Sequence, residues 1–318
     1  MTETFIVTGG AGFIGSHIAE RLLKDGQRVR IIDNLSTGNL KNIEHLKGDL
    51  EFHQVSVTNK ATLDKIFMGA DYVYHQAALA SVPRSIDDPL ETHEYNATGT
   101  LNVLLAAREA GVKRVVYAAS SSAYGDVETE FADESITPRP ISPYGVAKLM
   151  GEYYCQVFTQ VYGLETVCLR YFNVFGPRQD PTSQYAAVIP IFITAMLAGK
   201  QPTIFGDGSQ TRDFTYIDNV VHGNLLAANA PQAAGQVMNL ATGGKVTLLE
   251  LIAKLNTILG MSIDPILEKP RPGDILHSRA SINKAQNLLD YAPVVDFDSG
   301  LARTVEWYKN QQSDASRQ

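Results

Sequence analysis

Along the first 170 residues, short runs rich in β-branched and aromatic residues alternate with longer segments whose apolar positions recur every three or four residues. The runs TFIVT 4–8, RVRIID 28–33, LEFHQV 50–55, DYVYHQ 71–76, RVVYAAS 114–120 and TVCLRYF 166–172 predict strands. Between them, IGSHIAERLLKDG 14–26 and LETHEYNATGTLNVLLAAREAG 90–111 carry the helical period. Strands that alternate with helices imply parallel pairing, because right-handed crossovers return the chain to the same end of the sheet. The expected fold class is α/β, a doubly wound parallel sheet with both faces covered.

After about residue 175 the pattern changes. Loops lengthen, Gly and Pro interrupt (FGPRQDP, GDGSQ, KPRPGD), and the periodic segments shorten. A first domain over 1–175 and a second, smaller α/β domain over 176–318 are expected, with a soft boundary and the chain crossing back. The closing QQSDASRQ is polar and predicts a frayed end.

Composition narrows the classes. Hydrophobic residues make up 44% and charged residues 19% of 318, the profile of a globular protein with ample core. A net charge of −7 argues against a nucleic-acid or anionic-membrane partner. No apolar run approaches the roughly 18 residues of a membrane span. MTETFIVTGG enters a strand pattern at once, without the basic and apolar regions of a signal peptide. Cys155 and Cys168 fall in apolar-patterned segments and read as core thiols in a reducing cytoplasm. The seven histidines are scattered, so no metal site is expected.

Chemistry enters at two places. In IVTGGAGFIGSH, Gly9, Gly12 and Gly15 follow the first strand and open the first helix. Small residues there let a backbone turn tightly and approach a pyrophosphate, and the helix N-terminus offers free N–H groups to it. Asp33 ends the second strand, 18 residues after Gly15, where a carboxylate accepts from adenosine ribose hydroxyls and repels a 2′-phosphate. NAD is thus expected over NADP. The bland alternative is a glycine turn that only packs helix on sheet. The second place is SPYGVAKLMGE 142–152, where Tyr144 and Lys148 share a helix face 24 residues beyond Ser120. Free tyrosine has a pKa of about 10, and a nearby ammonium favours its phenolate. Such a Ser–Tyr–Lys group is similar to the one of the short-chain dehydrogenase/reductase superfamily, which implies Tyr144 as base, Lys148 as tuner and ribose anchor, and Ser120 as hydrogen-bond partner of the substrate oxygen. With 14 tyrosines in the chain, the pair could instead merely cover a helix surface.

The Gly-x-x-Gly-x-x-Gly spacing and the Ser–Tyr–Lys group resemble the short-chain dehydrogenase/reductase superfamily, whose first domain is a Rossmann-type sheet. DNLSTGN 33–39 and HQAALASVPRS 75–85 are similar to its extended branch. The likeness implies that Phe13, Ile14, Asn34, Ser36, Thr37, Gly38, Gln76, Ala77, Ala78 and Tyr171 help to line the NAD site. It also places Ser56 and Val57 there, with Ser56 where the branch usually carries an aspartate that meets adenine.

RYFNVFGPRQ 170–179, GDGSQTRDFTYIDN 206–219 and RPGDILHS 271–278 resemble the nucleotide-sugar elements of that branch, which implies a UDP-sugar substrate. By position, Asn173 would meet a diphosphate or sugar oxygen and Arg212 and Arg271 would grip the phosphates. Phe205 would stack on the pyrimidine and Asp274 would accept from its ribose. Ala80, Ser81, Ser121, Ser122, Ala187, Val188 and Thr203 would complete the pocket. Ser120-Ser121-Ser122-Ala123 lacks the carboxylates of the related dehydratases and decarboxylases, so the implied reaction is 4-epimerisation through a transient 4-keto sugar. In UDP-hexose 4-epimerases a tyrosine seven residues after the RPGD arginine tends to exclude N-acetylated sugars. Ser278 stands there, and PRQDPTSQYAAVIP 177–190 is also similar to enzymes of UDP-GlcNAc and UDP-GalNAc, although Ala80 replaces an expected glycine. UDP-Glc and UDP-Gal remain second substrates. Arg84 keeps a uronic acid open, against its reading as a loop salt bridge. A UDP-glucuronate 4-epimerase, a sugar-nucleotide reductase and a non-catalytic NAD-binding regulator are the alternatives. Apolar residues beyond the core-facing stripe of 90–110 and 143–162, including Leu101, Leu105, Tyr153 and Tyr154, together with the resemblance, imply a homodimer.

Overall fold

The computed structural model describes residues 2–126, 129, 131–181, 187–270 and 276–315. Seven strands form one parallel sheet: β1 Thr4–Thr8, β2 Arg28–Ile32, β3 Leu50–His53, β4 Tyr72–His75, β5 Arg114–Ser120, β6 Glu165–Tyr171 and a late strand, Gln236–Leu240. Their order is Gln236–Leu240, β6, β5, β4, β1, β2, β3. Every pairing is parallel, as the alternating pattern predicts. Burial follows position in the sheet. All residues of the central β1 and β5 are buried, whereas the edge strand β3 has none.

The first crossover helix, α1 Phe13–Lys24, buries Ile18, Ala19, Leu22 and Leu23 on one face. The isoleucine and the two leucines each contribute roughly 1.5–3 kcal/mol by leaving water. On the opposite face lie α2 Lys60–Ile66, α5 Gly99–Glu109 and α6 Pro143–Tyr162, whose apolar sides form a second core against the sheet, while α3 Val82–Asp87 and α4 Pro89–His93 pack on α6. The segment 90–111 is not one regular α-helix. Residues Glu94–Thr98 form a π turn between α4 and α5. That turn aims Asn96 at the loop after β4, where it donates to Leu79 O and accepts from Leu79 N.

The chain then adds α7 Val188–Leu197, α8 Ile217–Asn229, α9 Leu248–Leu259, α10 Asn283–Leu289 and α11 Phe297–Ala315. Short strands accompany them: Val174–Phe175 pairs Thr215–Tyr216, Thr203–Phe205 pairs Ile266–Glu268, and Thr211–Arg212 lies between Val246–Thr247 and His277–Ser278. Gln236–Leu240 brings the chain back onto β6. The predicted frayed end is corrected in part: residues 311–315 belong to α11, whose inner face buries Leu301, Val305 and Tyr308. Among the described residues no helix is long and apolar enough to cross a membrane.

Candidate active site

The sheet order reverses between β1 and β4, since the chain runs outward through β2 and β3 before returning. Crevices at such points receive ligands at the carboxyl ends of the strands. A cleft of about 1140 Å³ opens there. It borders every residue expected to face the cofactor: Gly9, Gly12, Phe13, Ile14, Gly15, Asp33, Asn34, Ser36, Thr37, Gly38, Ser56, Val57, Gln76, Ala77, Ala78, Tyr144, Lys148 and Tyr171.

The glycine turn is dictated by crowding. Gly9 has φ +66°, and a Cβ there would stand 2.7 Å from Ala77 N. At Gly15 a Cβ would stand 2.2 Å from Gly9 O. Helix α1 starts at Gly12 without a side-chain cap, so its first N–H groups face the cleft unclaimed by a cap. Asp33 is buried and accepts from Ala11 N at 3.0 Å and Leu35 N at 2.8 Å. Burial pushes its carboxyl up, and those N–H groups act against the rise. A dinucleotide fits this donor and acceptor set. Ser56 bonds the Thr58 hydroxyl at 2.8 Å and holds no carboxylate toward the adenine end.

Beneath the inner end, His75 is clamped. Thr100 Oγ1 donates to Asn96 O at 2.6 Å, so it accepts from His75 Nε2 at 2.9 Å. His75 Nδ1 then accepts from the Thr8 hydroxyl at 2.7 Å. Burial drops this imidazole to about 3, so it stays neutral and holds the loop after β4 in place.

Helix α6 delivers the tyrosine. Ser142 caps it by accepting from Gly145 N at 3.1 Å, and Pro143 opens it. Gly145 packs so tightly on the serine turn that a Cβ would come within 2.6 Å of Ser122 O. Ser120 ends β5, accepts from Ser122 N at 3.1 Å, and is the group that favours the Tyr144 phenolate. Burial acts the other way and pushes the phenol up. Lys148 donates to Ala118 O at 2.8 Å and lies 5.1 Å from the centre of the Tyr117 ring. Burial lowers its ammonium to about 8 against the counteracting Glu152. Thus the sequence places the ammonium beside the phenol, while in the chain by itself it sits on a carbonyl. The Tyr171 hydroxyl lies 3.1 Å from Gln76 Oε1 and 3.0 Å from Asn224 Oδ1, which ties the two sides of the cleft.

The expected sugar-nucleotide residues are more dispersed. Ala80, Ser81 and Ala187 border the cleft, and Val188 begins α7 beside it. Ser121 and Ser122 form the short turn after Ser120. Asn173, with φ +35°, donates to Asp213 O at 3.3 Å and lies 3.5 Å from Ser278 Oγ. Ser278 pairs in register with Arg212. Thr203 and Phe205 lie on a separate two-stranded ribbon. Arg271 and Asp274 lie outside the described residues. Arg84 borders the cleft but binds both Glu91 oxygens at 2.9 Å, the loop salt bridge weighed above.

Sequence reasoning passed over Arg178, although FGPRQ was singled out. It donates to Glu20 and, at 3.3 Å, to Ser16 Oγ beside the glycine turn. It also passed over Trp307 and Gln311, which α11 carries to the cleft from the far end of the chain.

Residues 5–241 match the model of the NAD dependent epimerase/dehydratase family. Among solved structures, the UDP-N-acetylglucosamine 4-epimerase of Methanobrevibacter ruminantium, in complex with UDP-N-acetylmuramic acid, is 41% identical with a TM-score of 0.93, covering 98% of this chain and 100% of that one. The UDP-glucose 4-epimerase of Thermotoga maritima with UDP-glucose is 38% identical, TM-score 0.93, covering 97% and 99%. The UDP-glucuronic acid 4-epimerase of Bacillus cereus, with UDP-glucuronic acid and NAD, is 35% identical, TM-score 0.89, covering 97% and 99%. The chain belongs to the NAD dependent epimerase/dehydratase family, on its UDP-sugar 4-epimerase branch, with NAD as cofactor.

Proposed function

We propose that the chain interconverts UDP-GlcNAc and UDP-GalNAc at C4, accepts UDP-Glc and UDP-Gal as second substrates, and works in the cytoplasm as a homodimer. The observation that carries the reading is one cleft in which the α1 N-terminus and Asp33 share a cavity with Tyr144 and Lys148. When bound, NAD supplies the hydride acceptor and donor at the sugar's C4 and a positive ring beside the phenol. Tyr144 takes the C4 hydroxyl proton and gives it back, with Ser120 donating to the same oxygen. Lys148 keeps an ammonium at the cleft floor that favours the phenolate and holds the cofactor ribose. The 4-keto sugar turns over between the two transfers. Asn173, Arg212, Arg271, Asp274 and Phe205 hold the UDP end while it does so.

Ser278 supports the N-acetylated sugar. It is a small side chain next to Asn173, smaller than the tyrosine that tends to exclude N-acetylated sugars at this position. A uronate needs a cation, and Arg84 is already spent on Glu91. For the dimer, α6 carries an exposed apolar stripe of Val146, Tyr153, Val157 and Val161. Incubation with UDP-GlcNAc, UDP-Glc and UDP-glucuronate in parallel, followed by NMR, tests the assignment. Formation of UDP-GalNAc is expected at the highest kcat/KM, and conversion of the uronate alone would overturn it. A sedimentation mass near one chain would remove the dimer.

A further inference from the structure

Lys148 and Glu152 stand one turn apart on α6, a spacing at which ammonium and carboxylate ordinarily pair. No ion pair joins them. Lys148 donates to Ala118 O at 2.8 Å. Both Glu152 oxygens accept from one guanidinium instead, Arg170 Nε at 2.9 Å and Arg170 Nη2 at 2.7 Å. All three residues are buried. The guanidinium also lies 4.4 Å from the centre of the Tyr124 ring, and Tyr124 donates to Asn239 Oδ1 at 2.7 Å, which fixes its plane.

A buried ion pair is weak evidence of stability, since an apolar pair of similar volume often does as well. Its position is the informative fact. Arg170 precedes Tyr171, which borders the cleft, and Glu152 is the largest influence holding the Lys148 proton on against burial.

We propose that Arg170 is a positioning residue: its two-pronged grip on Glu152 keeps that carboxylate from capturing the Lys148 ammonium, which therefore stays on the Ala118 carbonyl in the cleft that Tyr144 also borders. The idea rests on the assignment of Lys148 to the reaction. Glu152 thus acts on Lys148 by its field and not by contact. The planar fork is essential, because a lysine at 170 satisfies one oxygen and leaves the other free. The groups that act on Lys148 are Glu152 and Cys155 from α6, Tyr117 from β5 and His75 from β4, with Arg170 of β6 behind Glu152 and Tyr144 bordering the same cleft. Among these described neighbours Glu152 is the one carboxylate, so a change in its freedom reaches the ammonium without competition.

The test is the pH profile of epimerisation, with quenching of the sole tryptophan, Trp307, by NAD as the check of folding and cofactor binding. Arg170→Met frees Glu152 to draw the ammonium back. It is expected to lower kcat on the order of 10- to 100-fold and to move the acid limb, where Tyr144 ionises, to higher pH. Glu152→Gln keeps the shape and removes the charge. It is expected to move the alkaline limb, where Lys148 loses its proton, to lower pH by about one unit. Arg170→Lys, which keeps the charge, is expected to recover part of the activity and to carry the test with Glu152→Gln should Arg170→Met not fold. Limbs left at their wild-type pH in variants that quench normally would make the pair scaffolding and overturn the proposal. Failure of the underlying assignment reads out separately, as full activity in Lys148→Met.

Discussion

Around the glycine turn, the residues that meet are mostly close in sequence: Gly9, Gly12 and Gly15 lie in one turn, and Asp33 follows the next strand and accepts from Ala11 N. On the sugar side, Asn173, Arg212 and Ser278 come from three segments that meet through two-residue strands and side-chain hydrogen bonds. The first arrangement is fixed by backbone: Gly9 and Gly15 leave no room for a Cβ. The second is fixed by a buried carboxylate. Asp213 accepts from Thr242 Oγ1 at 2.7 Å, Gly243 N at 2.9 Å and Ala280 N at 3.3 Å, and so gathers two further segments around the strand that carries Arg212. A backbone site is rigid and carries one cofactor, whereas a site gathered by side chains can vary its ligand by single substitutions. The two halves should therefore respond differently to mutation.

The largest separation is expected between Tyr144→Phe and Arg212→Ala. Removing the phenol takes away proton transfer, and kcat is expected to fall by about 10²–10⁴-fold with NAD quenching of Trp307 unchanged. Removing the guanidinium takes away binding shared by ground state and transition state, so KM rises while kcat changes little. Steady-state kinetics with the preferred UDP-hexose distinguishes them. Equal losses of kcat in both would erase the contrast.

Next in size is a stability effect confined to the cofactor half. Burial penalises the Lys148 ammonium and lowers it from the 10.5 of a free lysine to about 8 in the folded chain. Below pH 8 both states carry the proton and the penalty is present in full, roughly 3 kcal/mol for a shift of this size. Between pH 8 and 10.5 the folded state has released its proton while the unfolded state still holds one, so stability rises with pH. Lys148→Met is thus expected to stabilise the cofactor-free protein at pH 7 and to lose that advantage progressively as pH climbs from 8 to 10.5. Urea titrations at several pH values measure it. A constant difference across the range would show that the penalty does not come from the charge.

A third effect belongs to the sugar half. Ser278→Tyr is expected to cut kcat/KM for UDP-GlcNAc relative to UDP-Glc by about 10- to 200-fold, the equivalent of 1–3 kcal/mol in pocket fit. Competition between the two sugars in one tube reads the ratio directly.

The same contrast decides what could be read from the chain. The strand β5 is found at its predicted limits, 114–120, and Gly9, Gly15 and Asp33 border the cleft where spacing put them, because strand, turn and helix start are local patterns even though the crowding at Gly9 comes from Ala77. Periodicity treats 90–111 as one helix, since a π turn adds a residue to the turn without breaking the apolar pattern, and the demand that sets it, Asn96 reaching Leu79, is made across the fold. Trp307 reaches the cleft because α11 packs under the second half, a placement that depends on the tertiary fold. Arg178 was legible as a motif, but its reach to Glu20 across 158 residues was not.

The smallest effect gives the finest division of the halves, because it compares two helix caps of similar strength. Ser142 caps α6 through Gly145 N, and Thr247 caps α9 in a reciprocal box with Glu250. Each substitution by alanine removes one accepted hydrogen bond and is expected to lower stability by about 1 kcal/mol. Their consequences for catalysis should differ. Tyr144 stands two residues after Ser142 in the first turn of α6, so fraying there moves the phenol away from Ser120. Helix α9 carries no residue that borders the cleft. Ser142→Ala is therefore expected to lower kcat several-fold at temperatures well below its melting point, and Thr247→Ala to leave kcat unchanged at equal loss of stability. If the two variants melt alike and turn over alike, the cap of α6 serves the fold alone, and the first turn holds its tyrosine through the Gly145 contact with the serine turn.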